Sequence, residues 1–177
     1  RIKILNTHHV GRSEARNIGN AAASGDIIFV LDADDLATPN RVDLTLKKFK
    51  SSGAQFIYGS ASIIDAVGRK GGEVRAEVFN KEMALETLWN RIVHSSVAYT
   101  KEFAKDFPYS GGELSTLGLD DWAQQISAAL DGVKMDFVFQ TICAYRILES
   151  GISNVRDPKK VEEAKRRHLD SLKAIAG

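Results

Sequence analysis

Three carboxylates stand within four residues at Asp32-Ala33-Asp34-Asp35, directly after the apolar run Ile27-Ile28-Phe29-Val30-Leu31. Carboxylates repel one another, so a cluster at a strand end calls for a cation or a cationic partner. Hard oxygen ligands of this kind suit Mg²⁺ or Mn²⁺, and a divalent ion held there carries a diphosphate. The plainer alternative is a set of turn and helix-cap residues. A second acidic pair, Asp120-Asp121, precedes Trp122. It offers either a general base for a hydroxyl nucleophile or a cap for the helix that follows.

The elements that must position these groups are legible in outline. After the Gly11 turn, 13–24 reads as a helix with Ser13 as its N-cap and Gly25 as its stop. It feeds a strand over 26–31 and the acidic loop 32–37. A helix over 39–52 follows, capped by Thr38, opened by Pro39 and ended by Gly53. Further strands are expected at 1–5, 55–60 (continuing toward 64), 93–99, 133–139 and 141–147. Asn80 caps a helix that includes Met83, Leu85, Leu88 and Trp89, and 109–118 reads as a flexible loop. Another helix begins at Asp120 or Asp121, and a charged helix occupies 158–176. Alternation of strands and helices predicts one α/β domain over 1–177 with a mostly parallel sheet. Ligands of such sheets bind outside the carboxyl ends of strands, where the acidic loop lies.

The order Gly11, Ala15-Arg16-Asn17, Gly19, a small-residue run ending Gly25-Asp26, an apolar strand and Asp32-Ala33-Asp34-Asp35 resembles the family 2 glycosyltransferases. These are inverting enzymes of the GT-A fold. The resemblance extends to about Ser153. It takes in His94-Ser95-Ser96-Val97-Ala98-Tyr99, Asp120-Asp121-Trp122, and Tyr145-Arg146 followed by Ser150 and Ser153. It departs at Leu148, where the family often has His. Family members also open with a strand, a helix and a second strand that hold the nucleotide base, and Arg1–Leu5 looks like the strand after these.

The resemblance implies transfer of a sugar from a nucleotide-diphosphate donor, with a UDP-sugar favoured, to a carbohydrate or lipid-linked acceptor. It implies Asp34 as the ligand of Mn²⁺ or Mg²⁺ and Asp32 on the donor, with Asp35 reaching the donor sugar, ordering the loop or capping the next helix. Arg16 bridges the diphosphate or pins one Asp of the cluster, and Arg146 approaches the donor phosphates or forms a salt bridge. Asp121 is the base. His94, Asp120 and Trp122 line the acceptor side, although Trp122 also reads as a core anchor. Polysaccharide or glycolipid synthesis beside the inner face of the cell membrane is the expected setting, with the basic tail as a peripheral membrane contact.

Composition narrows the alternatives. Of the 177 residues 44% are hydrophobic and the formal net charge is +1, which gives no bias toward nucleic acid. The single cysteine, Cys143, sits in an apolar stretch and reads as a buried structural thiol. His168 reads as solvent-facing. Phe29–Asp34 also resembles the first motif of haloacid-dehalogenase-type phosphatases, but Asp35-Leu36 stands where that family has Thr or Val. A non-catalytic binding or scaffold module of the same fold is the other alternative.

Overall fold

The computed structural model describes residues 2–88, 92–151 and 157–176. Trp89 and Ser153 lie outside them. In chain order the elements are α1 (Arg12–Ala22), β1 (Ile27–Phe29), β2 (Leu36–Ala37), α2 (Arg41–Ser52), β3 (Phe56–Ile64), β4 (Lys70–Val74) and α3 (Lys81–Thr87). A 3₁₀ turn (His94–Ser96) follows, then β5 (Ala98–Thr100), α4 (Lys101–Asp106), α5 (Gly112–Thr116), α6 (Asp120–Leu130), β6 (Met135–Arg146) and α7 (Pro158–Ala176).

One sheet runs in the order β1-β5-β3-β6-β2, with β4 also paired to β3. The pair β3–β6 is parallel and the other pairings are antiparallel, so the sheet is mixed where alternation of strands and helices had suggested a mostly parallel one. Alternation does not fix strand direction. The Asp65–Gly68 turn folds β4 straight back on β3, which makes that pair antiparallel.

Both faces of the centre are covered, and residues 56–61 of β3 are all buried. Alternate side chains of a strand point to opposite faces. Phe56 and Tyr58 therefore join Tyr99, Phe103 and Ala128 on one face. Ile57 joins Val138, Ile142, Leu44 and Phe49 beneath α2 on the other. A third cluster, with Ala84, Trp122, Ile126 and Leu169, seats α7 against α3 and α6. Among the described residues no helix is long and apolar enough to cross a membrane.

Several ends differ from expectation. The segment expected as a strand at 1–5 forms none among its described residues, and Ile2 and Ile4 are 94% and 77% exposed. A strand needs a ladder partner for its backbone groups, and no described strand pairs with this segment. The N-cap of α1 is Gly11, at φ 78, a conformation that glycine adopts without strain. Ser13 lies inside the helix with its side chain buried, and Ala23 rather than Gly25 closes it. Asn40 takes the N-cap position of α2 expected for Thr38, while Gly53 ends that helix at φ 63. Asn80 caps α3 by accepting a bond from the Met83 N–H at 2.7 Å. The expected strand over 93–99 is a 3₁₀ turn followed by the shorter β5, and the expected loop 109–118 contains α5.

The two strands expected at the C-terminal end are one, β6. Its register against β3 shifts between Gly59 and Ala61, where extra β6 residues bulge outward. There the backbone of β3 and the side chain of Ile142 approach closely. A Cβ on Gly59 would stand 2.5 Å from Ile142 Cδ1 and 2.6 Å from its Cγ1. Ile142 is fully buried and β-branched, so it has little room to turn aside. Gly59→Ala is expected to cost about 1–3 kcal/mol of stability by overpacking, read from the denaturant midpoint at unchanged slope.

Candidate active site

The site is organised by a carboxylate that water does not reach. Asp120, at the first position of α6, is 0% exposed. A buried carboxylate is tolerated only when it is paired and hydrogen-bonded. Its partners all come from α1, more than a hundred residues earlier in the chain. Arg12 donates to Oδ1; Ser13 Oγ and Arg16 Nη1 donate to Oδ2 at 3.1 and 2.7 Å. The spacing of 12, 13 and 16 sets the three donors on neighbouring positions of one helix. This is why Ser13 is buried and does not cap.

Arg16 has a second arm. Its Nη2 donates to Asp32 Oδ1 at 2.7 Å, so one guanidinium bridges both acidic clusters. Burial works against its charge, but Asp32 and then Asp120 outweigh that and hold its pKa above the ordinary value. Of the two roles expected for Arg16, this geometry is the one that pins an Asp of the cluster. Burial also disfavours the ionised form of Asp32, yet His94 and Arg16 together hold its pKa well below the usual carboxylate range.

The 3₁₀ turn supports the acidic loop through His94 and Ser95, and β3 through Ser96. His94 Nδ1 lies 3.3 Å from Asp32 Oδ2, and the Asp32 N–H donates to Ser95 Oγ at 3.0 Å. Ser96 Oγ accepts from the Gly59 N–H at 3.2 Å. His94 was expected on the acceptor side; the structure places it against Asp32 instead. Arg41, buried at the start of α2, donates to the carbonyls of Val30 and Val97 at 2.6 and 3.1 Å, which fixes the strand end that leads into the loop. Burial lowers its pKa.

Within the loop the three Asp side chains have different surroundings. Asp35 is buried and accepts from the Arg146 N–H at 2.7 Å; burial pushes its pKa up. It orders the loop. Arg146 itself donates through Nε to the Asp34 carbonyl at 2.8 Å, and through Nη1 to the carbonyls of Asp65 and Ala66 at 2.8 and 3.1 Å. Its Nε and Nη1 thus bind main-chain oxygens, and no described carboxylate side chain pairs with it. Asp34 is exposed, and no described side chain pairs with its carboxylate.

The neighbours Asp120 and Asp121 are equally unlike. Asp121 is half-buried, its Oδ1 accepts from the Trp122 N–H at 2.8 Å, and no described cation pairs with it. Trp122 is 4% exposed in the α3–α6–α7 cluster, with Lys165 Nζ 4.9 Å from its ring centre and the His168 ring 6.0 Å away. The core-anchor alternative describes this placement, and no ring face is left for a sugar. Asp120 likewise cannot meet an acceptor, because it is sealed from solvent. His168, read as solvent-facing, is half-buried against Trp122, and burial lowers its pKa. Cys143 is buried, which raises its thiol pKa to about 12. In the basic tail Arg166 pairs with Glu162 and Arg167 with Glu113.

A family model described as glycosyl transferase family 2 matches residues 1–105, more than half of the chain. The chain belongs to this family. An uncharacterized glycosyltransferase of Methanocaldococcus jannaschii is 26% identical over 149 residues, covering 82% of this chain and 50% of the relative. A second uncharacterized glycosyltransferase, from Nostoc sp. PCC 7120, is 27% identical over 116 residues, covering 61% of this chain and 36% of the relative. The chain therefore spans half or less of the length of these relatives. S. aureus TarS 1–349 in complex with UDP-GlcNAc shares the fold with a TM-score of 0.65, at 11% identity, over 96% of this chain and 50% of that one. The same fragment in complex with UDP gives 0.57 at 15% identity, over 82% of this chain and 43% of that one. The fold is GT-A.

Within this family-2 domain the residues present can be tested against a divalent ion. Among the described residues no three His, Cys, Asp or Glu side chains converge into a ready-made cage. Mg²⁺ does not need one, since it binds through one or two carboxylates together with substrate phosphates and water. Asp34 offers one unpaired, exposed carboxylate of that kind, and the fit is adequate. Asp32 is already engaged by Arg16 and His94, and Asp35 by the Arg146 N–H.

Sequence reasoning missed Arg12, Ser13, Ser95 and Tyr109. The signal available for the first two was the buried-face spacing of α1. Ser95 lay in the segment that resembles the family without its bond to the Asp32 N–H being visible, and Tyr109 carried no signal, because both roles depend on a turn and a loop meeting in space.

Asp120→Asn strips the compensating charge from Arg12 and Arg16 and is expected to cost about 3 kcal/mol. Asp121→Asn should stay within about 1 kcal/mol of the parent, and chemical denaturation of the pair checks this. The lowered pKa of Asp32 contributes stability that is present above the unfolded-state pKa and lost as pH falls through the folded one. Acid titration of the unfolding midpoint below about pH 4 should therefore be flatter in Asp32→Asn than in the parent.

Proposed function

We propose that this domain carries the transfer centre of an inverting, metal-dependent glycosyltransferase that moves a sugar from a nucleoside-diphosphate donor to an acceptor hydroxyl. The observation that carries the reading is the Asp120–Arg16–Asp32 bridge. It brings the helix that presents Asp121 to the loop that presents Asp34, and leaves those two carboxylates without cationic partners among the described residues.

In this reading Asp34 holds Mn²⁺ or Mg²⁺. The ion, when bound, neutralises the charge that builds on the departing diphosphate. Asp32 accepts hydrogen bonds from donor hydroxyls, with its carboxylate aimed by Arg16 and His94. Asp121 takes the proton of the acceptor hydroxyl as its oxygen attacks the anomeric carbon. The bond to the diphosphate breaks on the opposite face, and the configuration inverts. Asp35 and Arg146 hold the loop, and Asp120 holds the helix. A UDP-sugar is the favoured donor because TarS, whose fold this chain shares, is known in complexes with UDP and UDP-GlcNAc. The acceptor we propose is a carbohydrate or lipid-linked hydroxyl in polysaccharide or glycolipid synthesis. The work would take place at the inner face of the membrane, with the exposed Lys159 and Lys160 of α7 on the lipid side.

Titration calorimetry with UDP and with GDP, each with and without Mn²⁺, tests the donor half. Binding is expected for UDP with Mn²⁺ and should disappear in Asp34→Ala. Asp121→Asn should keep that affinity while turnover falls by about 10²–10⁴-fold. Binding of UDP that ignores both Mn²⁺ and Asp34 would remove the metal from the reading. Full turnover by Asp121→Asn would remove the base.

A further inference from the structure

Behind Asp32 lies a buried chain of hydrogen bonds that the transfer chemistry does not use. His94 Nδ1 faces Asp32 Oδ2 at 3.3 Å, and Nε2 meets the Tyr109 hydroxyl at 2.9 Å. The Tyr109 and Tyr99 hydroxyls are 3.1 Å apart, and Tyr99 reaches Asn20 of α1 at 3.1 Å. Tyr109 is 3% exposed and His94 9%. Asn17 grips the Tyr109 main chain from both sides, donating to its carbonyl at 3.0 Å and accepting from its N–H at 2.9 Å. The Arg16 guanidinium lies 5.4 Å from the centre of the Tyr109 ring.

Counting protons along this chain fixes one end of it. The Asp32 carboxylate is ionised and can only accept, so His94 Nδ1 must carry a hydrogen. The far end has two solutions. With Tyr99 donating to Asn20 Oδ1, Tyr109 donates to Tyr99 and Nε2 must donate to Tyr109, which makes His94 an imidazolium. With the Asn20 amide turned over, its Nδ2, otherwise a buried donor without an acceptor among the described residues, donates to Tyr99. The chain then reverses, and a neutral His94 accepts at Nε2. Both solutions leave the Nδ1–H on Asp32.

We propose that His94 is a positioning residue for the donor: its Nδ1–H, held in aim by Tyr109, fixes the second oxygen of Asp32 while Arg16 fixes the first. A carboxylate held at both oxygens keeps its remaining lone pairs in one direction, toward the donor, and does not have to be ordered when the donor arrives. The inference rests on Asp32 belonging to the donor site as proposed above.

The test uses two amides of different reach. In His94→Asn the amide nitrogen stands near the place of Nδ1, so the bond to Asp32 is kept and the link to Tyr109 is lost. In His94→Gln the nitrogen stands near the place of Nε2, and the reverse holds. With UDP and Mn²⁺ as the calorimetric probe, His94→Asn should remain within about threefold of the parent affinity, and His94→Gln should fall about tenfold, as expected for loss of one hydrogen bond to a charged group. Long-range ¹H–¹⁵N spectra of the nucleotide-free parent should show Nδ1 protonated. An unprotonated Nδ1 overturns the proposal whatever the nucleotide does. Equal losses in both variants, in step with their unfolding midpoints, reduce His94 to packing and overturn it too, as do unchanged affinities. A parent with protonated Nδ1 that binds neither UDP nor GDP defeats the proposed function, and the donor role of His94 with it.

Discussion

A carboxylate with no access to water is the constraint on which the site depends. Asp120 cannot stay ionised inside the protein alone, so α1 must bring Arg12, Ser13 and Arg16 to it. That demand fixes how α1 lies against α6. Once Arg16 is there, its second arm reaches Asp32, and the acidic loop is tied to the same point. The two parts of the site that must cooperate are thereby joined through a single guanidinium. Its planar fork suits the task in a way that a lysine ammonium would not.

Around this bridge the acidic residues divide into held and presented. Asp120 is sealed, Asp35 is spent on the Arg146 N–H, and Asp32 is aimed from two sides. Asp34 and Asp121 are left accessible. Like residues in adjacent positions thus carry different duties, and burial together with the count of donors decides which. Asp120 and Asp32 are neutralised by arginines of α1, whereas Asp35, held by a backbone N–H, keeps its neighbours Asp34 and Asp32 as like charges.

Most of the element order was legible from the sequence, because it follows from local signals. Asn80 as a cap, Gly53 as a stop, and α6 beginning at Asp120 each depend on a few adjacent residues. The acidic clusters and Arg16 were legible as chemistry. The division of labour between Asp120 and Asp121 was not, since it turns on which of two neighbours the helix rotates inward. Nor was the place of His94, which depends on a 3₁₀ turn where β-branched and aromatic neighbours suggested a strand. Strand direction was the other loss. The mixed composition of β3 and β6 marks them as strands, but it carries no arrow.

Arg146 grips the carbonyls of Asp34, Asp65 and Ala66 and touches none of their side chains. A hold of this kind reads shape and is blind to residue type. Position 66 is accordingly free to drift in sequence without loosening the loop. The side chain of Asp34 is likewise relieved of holding the loop, since the arginine takes only its carbonyl. The tolerance is one-sided, since the arginine has no substitute that reaches all three oxygens.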